Sequence, residues 1–179
     1  MLPASGAGPA AAWPAASGPG RQRAIRILEG LKSQYPEVAD YRYELVATYA
    51  WVPVALFPWQ TRSAAPVSAE QSLRKALGES QWLVARYPEI PQYACSQALI
   101  LAKLGMICWN TGRLAEAEDC FRKAQEIQDG VTAEFPDLPL HDHVLAQFMR
   151  VRLAQVCCQR AGQSLDPGTL GRTRELLET

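Results

Sequence analysis

The side chains of this chain that could do chemistry are few and poorly spaced for it. The two histidines, His141 and His143, flank Asp142. Two histidines that bind one metal ion from a helix are usually four residues apart, whereas a spacing of two turns their rings to different sides. Asp142 is better explained as the N-cap of a helix that begins there. We therefore predict no metal site.

The five cysteines are Cys95, Cys108, Cys120, Cys157 and Cys158, and no two of them form a Cys-x-x-Cys pair. An odd number with irregular spacing does not suit a disulfide-rich secreted domain. Adjacent side chains also diverge on a helix, and cysteine is among the residues most often buried. We interpret the cysteines as reduced thiols packed inside a cytoplasmic protein. An enzyme or metal protein that uses Cys157, Cys158 and the histidines stays open as an alternative.

No residue stands in a recognisable pattern of nucleophile and base, and the carboxylates Glu116, Glu118 and Asp119 lie where a predicted helix begins. The helix dipole favours negative charge there, so we assign them a structural role. We predict no catalytic activity and no cofactor. Eighteen Lys and Arg balance eighteen Asp and Glu in 179 residues. Because a nucleic-acid-binding domain usually has a basic excess, we also predict no nucleic-acid partner.

Two segments differ from the rest in composition. Residues 1–20 are rich in Ala, Gly and Pro and carry no charge, which predicts a disordered tail or linker. Residues 45–59 are also uncharged, but a membrane span needs about 20 apolar residues, and Pro53 interrupts this shorter run. The run predicts a buried helix followed by an apolar loop, without membrane contact.

A short motif recurs at residues 35–41, 87–93 and 135–141. Each copy begins with an aromatic residue, a proline, an acid and a branched aliphatic residue: Tyr35-Pro36-Glu37-Val38, Tyr87-Pro88-Glu89-Ile90 and Phe135-Pro136-Asp137-Leu138. A proline disfavours helical backbone in the residue before it, so each copy predicts a corner between two helices. Between the corners, apolar residues recur at spacings of three and four, as in amphipathic helices. The regular recurrence predicts stacked helical repeats over residues 21–179.

Residues 98–127 resemble a tetratricopeptide repeat. The family's large residue and Leu-Gly pair of helix A correspond to Leu101, Leu104 and Gly105, and its helix B signature corresponds to Leu114, Ala117, Phe121 and Ala124, after a turn at 111–113. The resemblance implies an all-α fold of antiparallel helix pairs stacked as a right-handed α-solenoid. It also implies that small Gly105 and Ala117 lie where two helices cross, with Phe121 filling the space between neighbours.

The repeat unit departs from the family in its length. No proline closes helix B after Ile127, so the unit has about 50 residues rather than about 34. Such units look like arrays in large bacterial proteins, notably planctomycete ones, some of which lie behind a serine/threonine kinase domain. In the first unit Pro53 replaces Gly105 and is expected to kink or end the helix. The chain starts with half a unit, either a natural cap or part of a longer array.

The resemblance implies a non-catalytic scaffold that binds a protein or peptide partner in a concave groove. The residues implied to line the groove are Leu99, Ala102, Met106, Trp109 and Asn110, with Phe57 in the first unit and Arg150 in the third. Trp109 is either a partner anchor or a core contact to the neighbouring unit. Because Ala102 and Met106 take the place of the Lys, Arg and Asn that clamp a C-terminal carboxylate in some members, we expect an apolar partner segment.

The alternative function is that of a regulatory tail, or fragment, of a larger signalling protein such as a serine/threonine kinase, although the chain itself has no kinase motif. Self-association through the ends of the solenoid is a further alternative.

Overall fold

The computed structural model describes residues 19–51, 67–136 and 140–164. These ranges contain no strand and six helices, namely α1 (Pro19–Gln34), α2 (Ala39–Ala50), α3 (Val67–Arg86), α4 (Pro91–Asn110), α5 (Leu114–Glu134) and α6 (Leu140–Ser164). The prediction of an all-α helical repeat fold is confirmed.

The recurring motif forms the predicted corners. In each corner the backbone N–H of the aromatic residue donates to the carbonyl four residues earlier and so closes the last helical turn: Tyr35 to Leu31, Tyr87 to Leu83 and Phe135 to Val131, each at 2.8 Å. The proline that follows cannot continue the helix, because it lacks an N–H. The first two corners then turn through a second bond, from Val38 to Tyr35 and from Ile90 to Tyr87, both at 3.2 Å. Residues 137–139 of the third corner lie outside the described residues.

The helices stack in chain order, and alternate helices also meet. Each helix packs against the next, and α2 contacts α4 as α4 contacts α6. The helices α2, α4 and α6 therefore form one layer of the array. Buried residues form two clusters, one around Leu45, Leu73 and Leu83 on α2 and α3, and one around Phe121 and Met149 on α5 and α6. Both clusters include residues of α4, which joins them.

The α4–α5 pair matches the expectation for its crossing point. Phe121 is fully buried, and a Cβ built on Gly105 would lie 3.0 Å from its ring. A residue with a side chain at 105 would therefore require the Phe121 ring to shift. Gly112, in the predicted turn, has a φ of 78°, which residues with a side chain rarely adopt. The resemblance thus predicted both the close approach and the turn correctly.

The internal repeat extends to ion pairs. Glu70 on α3 pairs with Arg74 one turn later and with Arg113 beyond α4. Glu118, at the matching place on α5, pairs with Arg122 one turn later and with Arg160 on α6. Residues 69–76 and 117–124 share the pattern Ala-Glu-x-x-x-Arg-Lys-Ala, and they therefore match in side-chain contacts as well as in sequence.

Several boundaries differ from the predictions. Helix α1 begins at Pro19, inside the predicted tail, and α6 continues through Gly162 to Ser164. One glycine inside a helix costs only about 1 kcal/mol, which a packed helix tolerates. Asp142 lies in the first turn of α6 rather than at its N-cap, since α6 begins at Leu140. Helix α2 ends at Ala50, as Pro53 predicted, and residues 52–66, with Phe57, lie outside the described residues.

Candidate functional site

The layer of alternate helices presents a row of exposed residues on α2. They are spaced four, three and four residues apart, so they lie on one face of the helix: Asp40, Glu44, Ala47 and Trp51. We call them the open strip of α2. Trp51, which directly follows the helix, is 51% exposed. Neither Asp40 nor Glu44 has an ion pair within the part of the chain that the structure describes. The strip therefore combines two carboxylates at one end with an indole ring at the other.

A second row runs along α4. Its members share one face of that helix, and we call them the open strip of α4: Gln92, Ser96, Leu99, Lys103 and Asn110. Gln92 and Asn110 are exposed at its ends, and the three residues between them are half-buried. The predicted site residues Leu99 and Asn110 belong to this strip.

Two contacts hold the open strips side by side. The Tyr43 and Tyr93 rings, near the start of α2 and α4, lie 5.3 Å apart between centroids. Further along, the Lys103 ammonium donates to the Ala50 carbonyl at 2.8 Å. The two helices therefore run in the same direction, and Trp51 follows the residue that Lys103 holds.

Lys103 belongs to a cap on the end of α2. The last carbonyls of a helix have no partner within it and carry its negative dipole end. Arg21, from α1, donates to the carbonyls of Thr48 at 2.9 Å and Tyr49 at 3.1 Å, and Lys103 donates to the carbonyl of Ala50. Burial lowers the pKa of Lys103. This lysine is bonded within the fold, so the exposed charged groups of the two strips are the carboxylates of Asp40 and Glu44.

The structure corrects the prediction for Ala102 and Met106, which were expected to line the groove. Ala102 is fully buried and Met106 is 5% exposed, in one cluster with Met149 and Val156 of α6. The physical reason is that α6 packs on this flank of α4. The face of α4 left open is displaced toward Lys103. The family resemblance did not place this lysine in the groove.

Trp109 also packs on the neighbouring helix. Its indole N–H donates to Gln159 Oε1 at 2.6 Å, and the Arg152 guanidinium lies 5.2 Å from its ring centroid. Of the two interpretations of Trp109, the geometry favours the contact between units. Arg150 is exposed, and it pairs with Asp129 on α5 at 2.6 Å rather than with a residue of either open strip. Phe57 lies outside the described residues.

The side chains of His141, Asp142 and His143 lie outside the described part of the structure. Among the side chains that the structure describes there is no group of three or more His, Cys, Asp or Glu residues that could hold a metal ion. None of the five cysteines forms a disulfide bond. A hydrogen bond with Cys108 and burial raise the pKa of Cys120, which keeps that thiol protonated. Cys157 is half-buried and the adjacent Cys158 is exposed. No described helix is both long and apolar enough to cross a membrane.

The sequence reasoning missed most of the open strips. The sequence shows the helical spacing of Asp40, Glu44, Ala47 and Trp51. The periodicity of apolar residues does not show which face of α2 each neighbouring helix covers. The contacts of α2 with α1, α3 and α4 decide that question.

Comparison with known proteins identifies one repeat. Residues 98–130, which span most of α4 and α5, match the family model described as tetratricopeptide repeat. No curated protein and no solved structure matches this chain. Tetratricopeptide repeats in general mediate contacts between proteins.

Proposed function

We propose that this chain is a non-catalytic interaction scaffold that binds a segment of a partner protein along the open strips of α2 and α4. The observation that carries the proposal is their parallel arrangement, fixed by the Tyr43–Tyr93 contact and the bond from Lys103 to Ala50. Because the helices hold this surface in place before binding, little ordering is needed when a partner docks.

The chemistry of the strips defines the partner segment. Asp40 and Glu44 are exposed one helical turn apart, and Trp51 lies 11 residues after Asp40, about 16 Å along the helix axis at 1.5 Å per residue. A segment with basic residues at one end and an apolar side chain at the other would pair with the carboxylates and cover Trp51 and Leu99. Exposed aromatic residues are frequent anchors of such contacts.

The test uses the full chain as bait in a native lysate. Glu44→Lys reverses a charge in the open strip of α2, and Leu99→Glu places a charge in that of α4. The matched control is Glu126→Lys, an exposed acid of α5 away from both strips. A protein retained by the unchanged chain and the control, but lost from both strip variants, supports the proposal. A partner recovered equally on all four baits would contradict it.

The remaining predictions depend on other measurements. Three predictions remain: that the protein is cytoplasmic, that its repeats are of the long-period type found in bacterial proteins, and, as the alternative function, that it is a regulatory tail of a kinase. Genomic sequence upstream tests the last one, since a kinase reading frame would have to continue into residue 1. Elemental analysis of protein purified without chelators tests the rival metal protein, which requires a stoichiometric metal.

A further inference from the structure

Helices α1, α3 and α5 occupy the same place in successive repeat units, yet α1 is covered differently. Aligned at the corners, Ala24 and Leu31 of α1 correspond to Ala76 and Leu83 of α3, which are both fully buried. The matching residues of α5, Ala124 and Val131, are buried too. Ala24 and Leu31 themselves are only half-buried, and α1 has no buried residue at all. Helices α3 and α5 each pack on the helix before them, and no described helix precedes α1.

The face of α1 left uncovered is apolar. We call it the α1 stripe, made of Ala24, Ile27, Leu31 and Tyr35 at spacings of three, four and four residues. Ile27 and Tyr35 are each 53% exposed, which makes them two of the largest exposed apolar side chains of the described residues. Gly30, near the midpoint of the stripe, has no atom within 4 Å of the place a Cβ would take.

The two ends of the α1 stripe carry opposite charges. Arg23, one turn before Ile27, is exposed and has no ion pair among the described residues. Glu37, just beyond Tyr35, has a side chain that is 76% exposed, and its one described cation, Arg86, is 3.9 Å away and itself mostly exposed. A helix with a basic start, an apolar middle and an acidic end is complementary to a second copy of itself in the antiparallel orientation.

We propose that a second copy of this chain docks on the α1 stripe, with the two α1 helices antiparallel about a two-fold axis near Gly30. In this register Ala24 faces Tyr35 of the second copy, and Arg23 faces its Glu37. An isologous contact of this kind closes on itself and gives a dimer rather than a filament. It is independent of the open strips, because it uses the outer face of α1.

The dimer is expected to be weak. Helix α1 has 16 residues and is about 24 Å long, so the contact falls among interfaces below about 1,200 Å². Sedimentation equilibrium of the full chain from about 5 to 500 µM covers the affinities typical of such contacts. The proposal expects a monomer–dimer equilibrium in this range, and a chain that stays monomeric throughout would overturn it.

The apolar part of the contact is tested with a matched pair of variants. Ile27→Glu is expected to raise the dimer Kd at least about tenfold, since it places a charge in the apolar contact. Val151→Glu is the control, because Val151 is 55% exposed on α6, at the other end of the array. Circular dichroism checks that both variants remain helical. A dimer unaffected by Ile27→Glu, or weakened equally by Val151→Glu, would overturn the proposal.

A charge exchange tests the antiparallel register. Arg23→Glu and Glu37→Arg are each expected to raise the dimer Kd about threefold to tenfold, since each places like charges opposite one another. The double variant restores opposite charges at both ends and is expected to return the Kd to that of the unchanged chain. If the double variant dimerises no better than the single ones, the antiparallel contact is wrong.

Discussion

The Glu70 carboxylate of α3 and the Arg113 guanidinium before α5 are joined by two hydrogen bonds, Nη2 to Oε2 at 2.7 Å and Nη1 to Oε1 at 3.1 Å. Arg74, one turn along α3, adds bonds to Oε1 at 2.7 and 3.0 Å. These bonds, from Arg113 and then Arg74, lower the pKa of Glu70 to about 2. The Glu70 carboxylate thus connects α3 to the turn between α4 and α5.

This ion pair predicts a dependence of stability on pH. Because the pKa of Glu70 is lower in the folded chain than in the unfolded one, its stabilisation is complete above the unfolded value of about 4.3 and is lost as the pH falls toward 2. Glu70→Gln is expected to lower the free energy of unfolding at pH 7 by about 1–2 kcal/mol. Urea unfolding followed by circular dichroism at several pH values measures both effects.

The control for Glu70 is Asp119→Asn. Asp119 pairs with Lys123 at 2.8 Å, but both side chains are more than half exposed, so we expect a change below about 0.5 kcal/mol. If Glu70→Gln were no more destabilising than this control, or left the loss of stability below pH 4.3 unchanged, the assigned role of Glu70 would be wrong.

The close approach of α4 and α5 at Gly105 predicts the effect of adding a side chain at that residue. Gly105→Ala places a Cβ 3.0 Å from the Phe121 ring, which is fully buried and must shift to relieve the contact. We expect the free energy of unfolding to fall by about 1–3 kcal/mol, as in other overpacked cores. Thermal or urea unfolding of the two proteins gives the difference.

Gly130→Ala on α5 is the matched substitution in open space. A Cβ at Gly130 would meet nothing within 4 Å, so the higher helix propensity of alanine should raise the free energy of unfolding by about 0.5–1 kcal/mol. Opposite signs for the same substitution separate close packing from helix propensity. The same sign at both glycines would show that the contact with Phe121 does not constrain residue 105.

The corners and the helix crossing could be predicted from the sequence because their causes are local. A proline after Tyr35 or Tyr87 ends a helix whatever surrounds it, and Gly105 and Phe121 follow a pattern that allows close approach. The proposed docking surface could not be predicted in the same way. Periodicity places Leu99 and Met106 near one face of α4, but only the packing of α6 shows that Met106 is buried while Leu99 is half-buried.

Gln128 on α5 is a second feature that the sequence did not indicate. Its side chain is fully buried, and neither Nε2 nor Oε1 has a hydrogen-bond partner among the described residues. A buried amide without partners costs about 1–3 kcal/mol. Gln128→Met, which keeps the length of the side chain, is therefore expected to raise the free energy of unfolding by about 1–2 kcal/mol in urea unfolding. A loss of stability would show instead that the amide is satisfied in solution.

Met106 and Leu99 make the sharpest test of the corrected surface, since the resemblance placed both in the groove. Met106→Ala removes a side chain that is 5% exposed in the α4–α6 contact, and it is expected to lower the free energy of unfolding by about 2–4 kcal/mol. Leu99→Ala removes a half-buried side chain of the open strip and is expected to cost less than about 1.5 kcal/mol. Urea unfolding of both variants measures this difference. If the two costs were equal, or their order reversed, α6 would not cover Met106, and the groove would have to be assigned again to include it.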